Sequence, residues 1–180
     1  MPILKPLSLV VLAAALAACA APMSAPKPEA LNNEDWYQVR DEHQVILFDD
    51  FQVFKDYLAT GQAPSMRTLE EKDPVGGQKV ILALRAEDQG KALDKIAAYN
   101  FYKFSLVPAH PFYGEVRQEG SVYVFKRYGD MQDMVKLGEP IFRYTDIGGG
   151  PEGKSVTYGL QKEEGRPDST IAQFKKNHML

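Results

Sequence analysis

The sequence has one cysteine, Cys19, among its 180 residues, so no disulfide can form within the chain. It has three histidines, and no two of them have the spacing of zinc ligands. A Gly-x-Ser-x-Gly nucleophile motif is absent, and the glycine-rich segment 148–153 lacks the Lys-Ser/Thr pair of a phosphate-binding loop. We therefore expect no metal, no cofactor and no enzymatic activity.

Excess positive charge is also lacking. The chain carries 21 Lys and Arg against 24 Asp and Glu, a net charge of -3. Nucleic-acid-binding domains carry a basic patch, so this balance argues against a nucleic-acid partner. No polybasic block suggests binding to lipid headgroups either.

Long apolar runs are missing as well. The apolar run at residues 7–18 follows a single cation, Lys5, and is shorter than the roughly 20 residues that a membrane-spanning helix needs. A cation, a short apolar run and then small residues form the pattern of a cleaved signal peptide. We interpret residues 1–18 as a signal peptide.

The end of this run, Leu16-Ala17-Ala18-Cys19, resembles the lipobox of bacterial lipoproteins. The resemblance implies that a diacylglycerol is attached to the Cys19 sulfur, that the leader is removed and that the new amino terminus is acylated. Two or more acyl chains hold a protein firmly at a membrane. Ala20 stands where inner-membrane lipoproteins of enteric bacteria usually carry Asp, which favours the periplasmic face of the outer membrane. The alternative is an ordinary signal peptide that contains a cysteine.

Residues 19–35 are rich in proline and poor in large apolar side chains, and we interpret them as a lipidated flexible tether. The remaining chain is long enough for one compact domain with a core. We divide it into a first repeat with a linking segment, 36–111, and a second repeat, 112–180.

The division rests on internal similarity. The segment 39–48 aligns with 116–125, 77 positions later, and the alignment continues at a separation of 76 positions through Arg67 and Arg143. A repeat of this length is a structural unit rather than a short solenoid turn. Alternating and helical apolar patterns predict two strands, a helix, two strands and a helix in each unit.

The predicted fold is therefore α+β. It consists of two tandem ββαββα repeats related by a pseudo-two-fold axis, with antiparallel sheets and helices on one face. The two sheets can join edge to edge, or the units can lie side by side with a cleft between them. The segment 101–107 in the linker can itself be a strand, and the last helix is predicted over 169–176, with His178 frayed beyond it.

Four arginines occupy matching positions in the two repeats, which suggests an anion or an acidic partner as their ligand. They can equally form structural ion pairs, with Glu42 and Glu119 as partners. A histidine flanked by prolines and aromatics can line a pocket. The candidate binding residues are Arg40, Arg117, Arg67, Arg143 and His110.

The segment Asp73-Pro74-Val75-Gly76, and the hairpin followed by a helix in 120–137, are similar to YHS-type and copper-chaperone lipoprotein modules. Those families bind metal through Cys, Met or His near the hairpin. Gly76 stands here where the YHS motif has cysteine, so the resemblance implies the shape of the module without its metal ligands.

The leading hypothesis is a non-enzymatic, membrane-anchored periplasmic lipoprotein that acts as a binding module for an envelope protein. One alternative is a carrier of a small ligand or metal that uses a cleft between the repeats with His110. The other is a hydrolase with an unrecognised site.

Overall fold

The computed structural model describes residues 30–180. Cys19, the signal peptide and most of the predicted tether lie outside the described residues. Within 30–180, no helix is long and apolar enough to cross a bilayer.

The described chain is α+β, as predicted, with eight strands and four α-helices. The first half contains β1 Asp35–Arg40, β2 Gln44–Phe48, α1 Phe51–Thr60, β3 Ser65–Lys72, β4 Lys79–Leu84 and α2 Ala97–Tyr102. The second half contains β5 Tyr113–Gln118, β6 Ser121–Phe125, α3 Tyr128–Leu137, β7 Phe142–Asp146, β8 Val156–Leu160 and α4 Asp168–His178. Short 3₁₀ turns lie at Ala86–Asp88, Leu93–Lys95 and Pro151–Gly153.

Local signals fix the ends of the first helix in each half. The Asp50 side chain accepts a hydrogen bond from the Val53 backbone N–H at 2.9 Å and caps α1. Gly61 and Gly138 end α1 and α3 with positive φ angles of 72° and 87°, which glycine adopts without steric cost. Both helix ends confirm the sequence prediction.

The strand that the sequence allows at 101–107 does not form, because these residues contain the end of α2 and a turn. The helix predicted before it is broken into two 3₁₀ turns and the six-residue α2. Phe104 follows α2 with a left-handed φ of 58° and turns the chain away. The short helix α2 therefore covers only a small part of the sheet at this point.

All eight strands form one sheet in the order β3-β4-β2-β1-β5-β6-β8-β7. Each hairpin is antiparallel, but β1 pairs with β5, β2 with β4 and β6 with β8 in parallel. The prediction of antiparallel sheets is wrong for a physical reason. Neighbouring hairpins pair through strands that hold the same position in each hairpin. The first strands β1 and β5 pair with each other, and the second strands pair as β2 with β4 and β6 with β8; in each case the two strands run in the same direction.

The two halves join edge to edge through β1 and β5, which pair from Asp35 with Tyr113 to Arg40 with Gln118. Of the two arrangements left open by the sequence, the continuous sheet is the one observed. The central strands of the two halves therefore have no cleft between them.

Helices cover both sides of the sheet, so the prediction of helices on one face is wrong. We call the side under α2 and α3 the first face and the side under α1 and α4 the second face. In β2, Val45 and Leu47 are buried on the first face, whereas Ile46 and Phe48 are buried on the second. A strand buried on both sides needs helices on both sides.

Residues aligned in sequence lie on opposite faces. Leu47 packs in the first-face core and its counterpart Val124 in the second-face core. Phe54 of α1 packs in the second-face core and its counterpart Met131 of α3 in the first-face core. The two helices of one half likewise lie on opposite faces.

An ion-pair cluster joins the start of α3 to the chain after β8. Arg127 donates to Glu164 through both terminal nitrogens, and the Lys126 Nζ lies 2.7 Å from the same carboxylate. These contacts, the hydrogen bonds from Arg127 above all, lower the pKa of Glu164 to about 2.

We expect Glu164→Gln to lower the free energy of unfolding at pH 7 by about 1–2 kcal/mol, less than the full pKa shift implies because water reaches the carboxylate. A carboxylate whose pKa is lowered by folding stabilises the fold at any pH above its pKa in the unfolded chain. This contribution is lost as the pH falls toward 2. The free energy of unfolding, measured by urea denaturation from pH 7 to pH 3, should therefore depend less on pH in Glu164→Gln. The exposed neighbour Glu163→Gln is the matched control, and equal pH dependence of Glu164→Gln and the unmodified chain would contradict the prediction.

Candidate functional site

A cavity of about 290 Å³ lies on the first face, between the end of α2, the β3–β4 turn and α3. Its floor is β1, whose alternate residues Trp36, Gln38 and Arg40 point to this side. The cavity exists because α2 ends at Tyr102, before it reaches the end of β1. We call it the first-face pocket. Its apolar and aromatic walls come from Trp36, Pro74, Val75, Tyr102, Phe104 and Val135.

The polar floor of the pocket is a buried ion pair. The Arg40 Nη2 lies 2.7 Å from the Asp73 Oδ2, and the two side chains are 7% and 2% exposed. Arg40 also donates to the Gln38 Oε1 at 3.0 Å. The predicted partner Glu42 is not the one observed, because Asp73 reaches Arg40 from the β3–β4 turn, 33 residues along the chain.

The β3–β4 turn holds Asp73 in place. Its carboxylate accepts the Gly76 N–H at 3.3 Å, and its backbone carbonyl accepts the Gly77 N–H at 2.8 Å. Gly77 has a φ of 70°, which a residue with a Cβ adopts only under strain. Gly76, which ends the motif resembling YHS modules, and the following Gly77 thus position a carboxylate, and not a metal ligand.

The rim of the pocket is apolar and exposed. Val75 is 51% exposed and Phe104 is 61% exposed. The Lys136 Nζ lies 5.5 Å from the centre of the Phe104 ring, a cation–π distance. A second cavity of about 310 Å³ continues from Val75 and Val135 toward Leu137, which is 62% exposed. Exposed apolar side chains beside a concave site are typical of binding surfaces.

Two aromatic side chains of the pocket also carry polar atoms. Trp36 is 3% exposed, and its Nε1–H has no acceptor among the described residues. Burial, followed by the charges of Asp73 and Glu71, raises the pKa of Tyr102 to about 12. Tyr102 therefore remains a neutral hydrogen-bond donor at ordinary pH.

The corresponding position on the second face is closed. Glu115 and Arg117 of β5, the counterparts of Gln38 and Arg40, lie under the last turn of α4. The Glu115 carboxylate is 0% exposed and accepts hydrogen bonds from Arg117, from the Tyr113 hydroxyl and from the His178 Nε2, the last two at 2.9 Å. We call these four residues the Glu115 cluster.

His178 does not fray, contrary to the prediction. Its side chain is 7% exposed, and its ring lies 4.6 Å from the Phe174 ring and 5.8 Å from the Phe51 ring. The spacing of Phe174 and His178, i and i+4 on α4, places both on one helix face and is the sequence signal for this contact. The last turn of α4 thereby covers Arg117, whereas Arg40 borders an open pocket.

The structure does not bring the five candidate binding residues together. Arg40 and Arg117 lie on neighbouring strands but on opposite faces, each already paired with a carboxylate. Arg67 and Arg143 lie on the two outer strands, where Arg67 donates to the Lys91 carbonyl and Arg143 pairs with Glu139. His110 is exposed in the segment before β5. The pairing of Arg117 with Glu115 replaces the predicted partner Glu119.

Across residues 30–180, no group of three or more His, Cys, Asp or Glu side chains is placed to hold a metal ion. Sequence reasoning missed the first-face pocket, because its walls come from four separate elements. The one available signal was the cluster of aromatics around residues 101–104. Comparison of the chain with protein-family models, with curated proteins and with solved structures finds no match.

Proposed function

We propose that this protein is a lipid-anchored, non-enzymatic binding module of the bacterial envelope, and that the first-face pocket receives an apolar side chain of a protein partner. The anchor is Cys19 at the periplasmic face of the outer membrane, and the partner is an envelope protein. The observation that carries the proposal is the apolar pocket with its exposed rim of Val75 and Phe104. Central pockets that receive a single large side chain supply much of the energy of protein interfaces.

The size and chemistry of the pocket support a side chain as its occupant. A volume of about 290 Å³ is at the lower end of the range for small-molecule sites and suits one aromatic or branched side chain. The Arg40 guanidinium is already paired with Asp73, and the other cation of the lining, Lys136, lies over the exposed Phe104 ring at the rim, so the buried floor of the pocket has no unpaired charge that would select an anion. The exposed Leu137 beside it extends the apolar surface beyond the pocket.

We further propose that the two halves are tandem ββαββα repeats. Read outward from the β1–β5 junction, the strand order is the same in both halves. A two-fold axis that lies in the sheet, along the strands, makes the central pair parallel and exchanges the two faces. The exchange of Leu47 with Val124 and of Phe54 with Met131 between the cores supports this relation. The closed Glu115 cluster and the open pocket are then two versions of one site.

Site-specific photo-crosslinking in the native envelope tests the function. With a photoreactive benzoylphenylalanine at position 104, we expect the full chain to form one discrete adduct with an envelope protein. Val75→Asp, which puts a charge on the exposed rim, should reduce this adduct at least tenfold without affecting folding. Val135→Trp, which fills the pocket, should do the same. Leu58, 40% exposed on the second face, is the control position and should not form this adduct.

The anchor enters the same experiment. Cys19→Ser should move the chain out of the outer-membrane fraction and abolish the adduct. An adduct that Val75→Asp leaves unchanged would contradict the pocket as the site, and the absence of any protein adduct at position 104 would contradict the partner. A small molecule retained by the purified chain in native mass spectrometry, and lost in Val135→Trp, would instead identify a ligand carrier.

A further inference from the structure

The outer strand β7 has a free edge without a bulge. It pairs with β8 through five successive residues and has no strand on its other side. Ile141 and Ile147, which flank the strand, are 62% and 86% exposed, and Phe142 is 42% exposed. A strand edge with exposed apolar side chains tends to pair with another chain.

The opposite edge of the sheet is protected. The β3–β4 ladder changes register between Thr68 and Lys72, which marks a bulge or irregularity. Glu70, Glu71 and Lys72 place charges along the same end of β3. Bulges and charges are the features by which natural edge strands avoid further pairing. The β7 edge, which has no bulge and has exposed apolar side chains, is therefore the better suited of the two to strand pairing.

We propose that β7 pairs in antiparallel fashion with β7 of a second copy of this chain, centred on Tyr144. A two-fold axis perpendicular to the sheet at this residue places Tyr144 opposite itself. It also brings Ile141, just before the strand, toward Ile147 of the second copy, which lies in the turn just after the strand. Ile141 and Ile147, the two most exposed apolar side chains of the edge, then bury each other in two symmetry-related contacts. Directly opposite pairs are the unit of sheet stabilisation.

The chemistry of the strand selects this centre. With Tyr144 at the axis, Arg143 faces Thr145 and no like charges are directly opposite. A centre at Arg143 would place two arginines against each other. A centre at Thr145 would place Phe142 opposite Gly148 and Arg143 opposite Ile147. Like charges directly opposite destabilise a strand pair, and glycine offers no side chain for contact.

The proposed contact closes on itself. An isologous two-fold interface uses the same surface of both copies and leaves no second copy of that surface free. The remaining edges of the joined sheet are the two protected β3 strands. The expected assembly is a dimer with a continuous sheet, and this inference is independent of the pocket and of the envelope partner.

Sedimentation velocity of the full chain in detergent tests the dimer. We expect the unmodified chain to sediment as a dimer and Ile147→Asp to sediment as a monomer, because a charge would replace one isoleucine in each of the two pairs. Val107→Asp, at a residue that is 78% exposed and far from β7 in sequence, is the matched control and should remain a dimer. A monomer for the unmodified chain, or a dimer for Ile147→Asp, overturns the proposal.

Disulfide trapping tests the centre of the contact. Tyr144→Cys should form a cross-linked dimer under mild oxidation, because residues opposite each other at the axis lie within disulfide distance. Thr68→Cys, on the exposed β3 edge, should give at least tenfold less cross-linked dimer, and the unmodified chain controls for Cys19. Equal trapping at positions 144 and 68 overturns the proposal.

Discussion

Glu115→Ala is expected to lower the free energy of unfolding by about 3–5 kcal/mol, as the removal of one partner from a buried ion pair does. The carboxylate is fully buried, and its loss leaves Arg117, whose side chain is 14% exposed, without its counter-charge. The Tyr113 hydroxyl and the His178 ring lose their acceptor in the same step. Urea denaturation followed by the fluorescence of Trp36, the one tryptophan of the chain, measures the effect.

The effect should be specific to the buried carboxylate. Glu139 pairs with Arg143 at the surface, where its side chain is 65% exposed, and Glu139→Ala should change the free energy of unfolding by less than about 0.5 kcal/mol. Glu115→Gln keeps an acceptor for Tyr113 and His178. Its loss of unfolding free energy should lie between those of Glu115→Ala and Glu139→Ala. A loss below 1 kcal/mol for Glu115→Ala would mean that apolar packing, and not the Glu115 cluster, attaches α4 to the sheet.

Those parts of the fold that depend on neighbouring residues could be predicted from the sequence. Strands at Gln44–Phe48 and Ser121–Phe125 follow from apolar runs beside turn residues, and Gly61 and Gly138 mark helix ends. Each of these signals acts over a few residues, so the pattern in the chain is sufficient.

Which face each helix covers could not be predicted in the same way, because it depends on how separate hairpins meet. One signal was present but was not used. The run Val45-Ile46-Leu47-Phe48 is apolar at every position, which indicates a strand buried on both faces, whereas a strand with one exposed face alternates. That run indicates that both faces of the sheet are covered.

The candidate site also has parts that the sequence could predict and parts that it could not. Matching positions in the two halves singled out Arg40 and Arg117, and both are buried or nearly so and ion-paired. Asp73 and His178 reach these arginines through tertiary contacts that no local pattern reports, whereas Glu115 lies two positions before Arg117 on the same face of β5. Alignment can identify a position that matters, but the partner decides whether the position binds a ligand or holds the fold.

A double-mutant cycle on Arg40 and Asp73 separates these two roles at the pocket. Asp73→Leu should lower the free energy of unfolding by about 3–5 kcal/mol, since it leaves the guanidinium buried without a counter-charge. Arg40→Met should lower the free energy of unfolding by a similar amount. The double variant should lower it by clearly less than the sum of the two single effects, because two apolar side chains can replace a buried ion pair without leaving a charge behind.

The double variant also tests what the pocket recognises. We expect it to retain the photo-crosslinked adduct at position 104, because an apolar side chain does not require the Arg40 guanidinium. Glu71→Leu, at a surface pair whose side chains are about 40% exposed, controls for the loss of one acidic group. If the double variant folds but loses the adduct while Glu71→Leu keeps it, then the Arg40–Asp73 pair contacts the partner directly and the occupant carries a polar or charged group beside its apolar body.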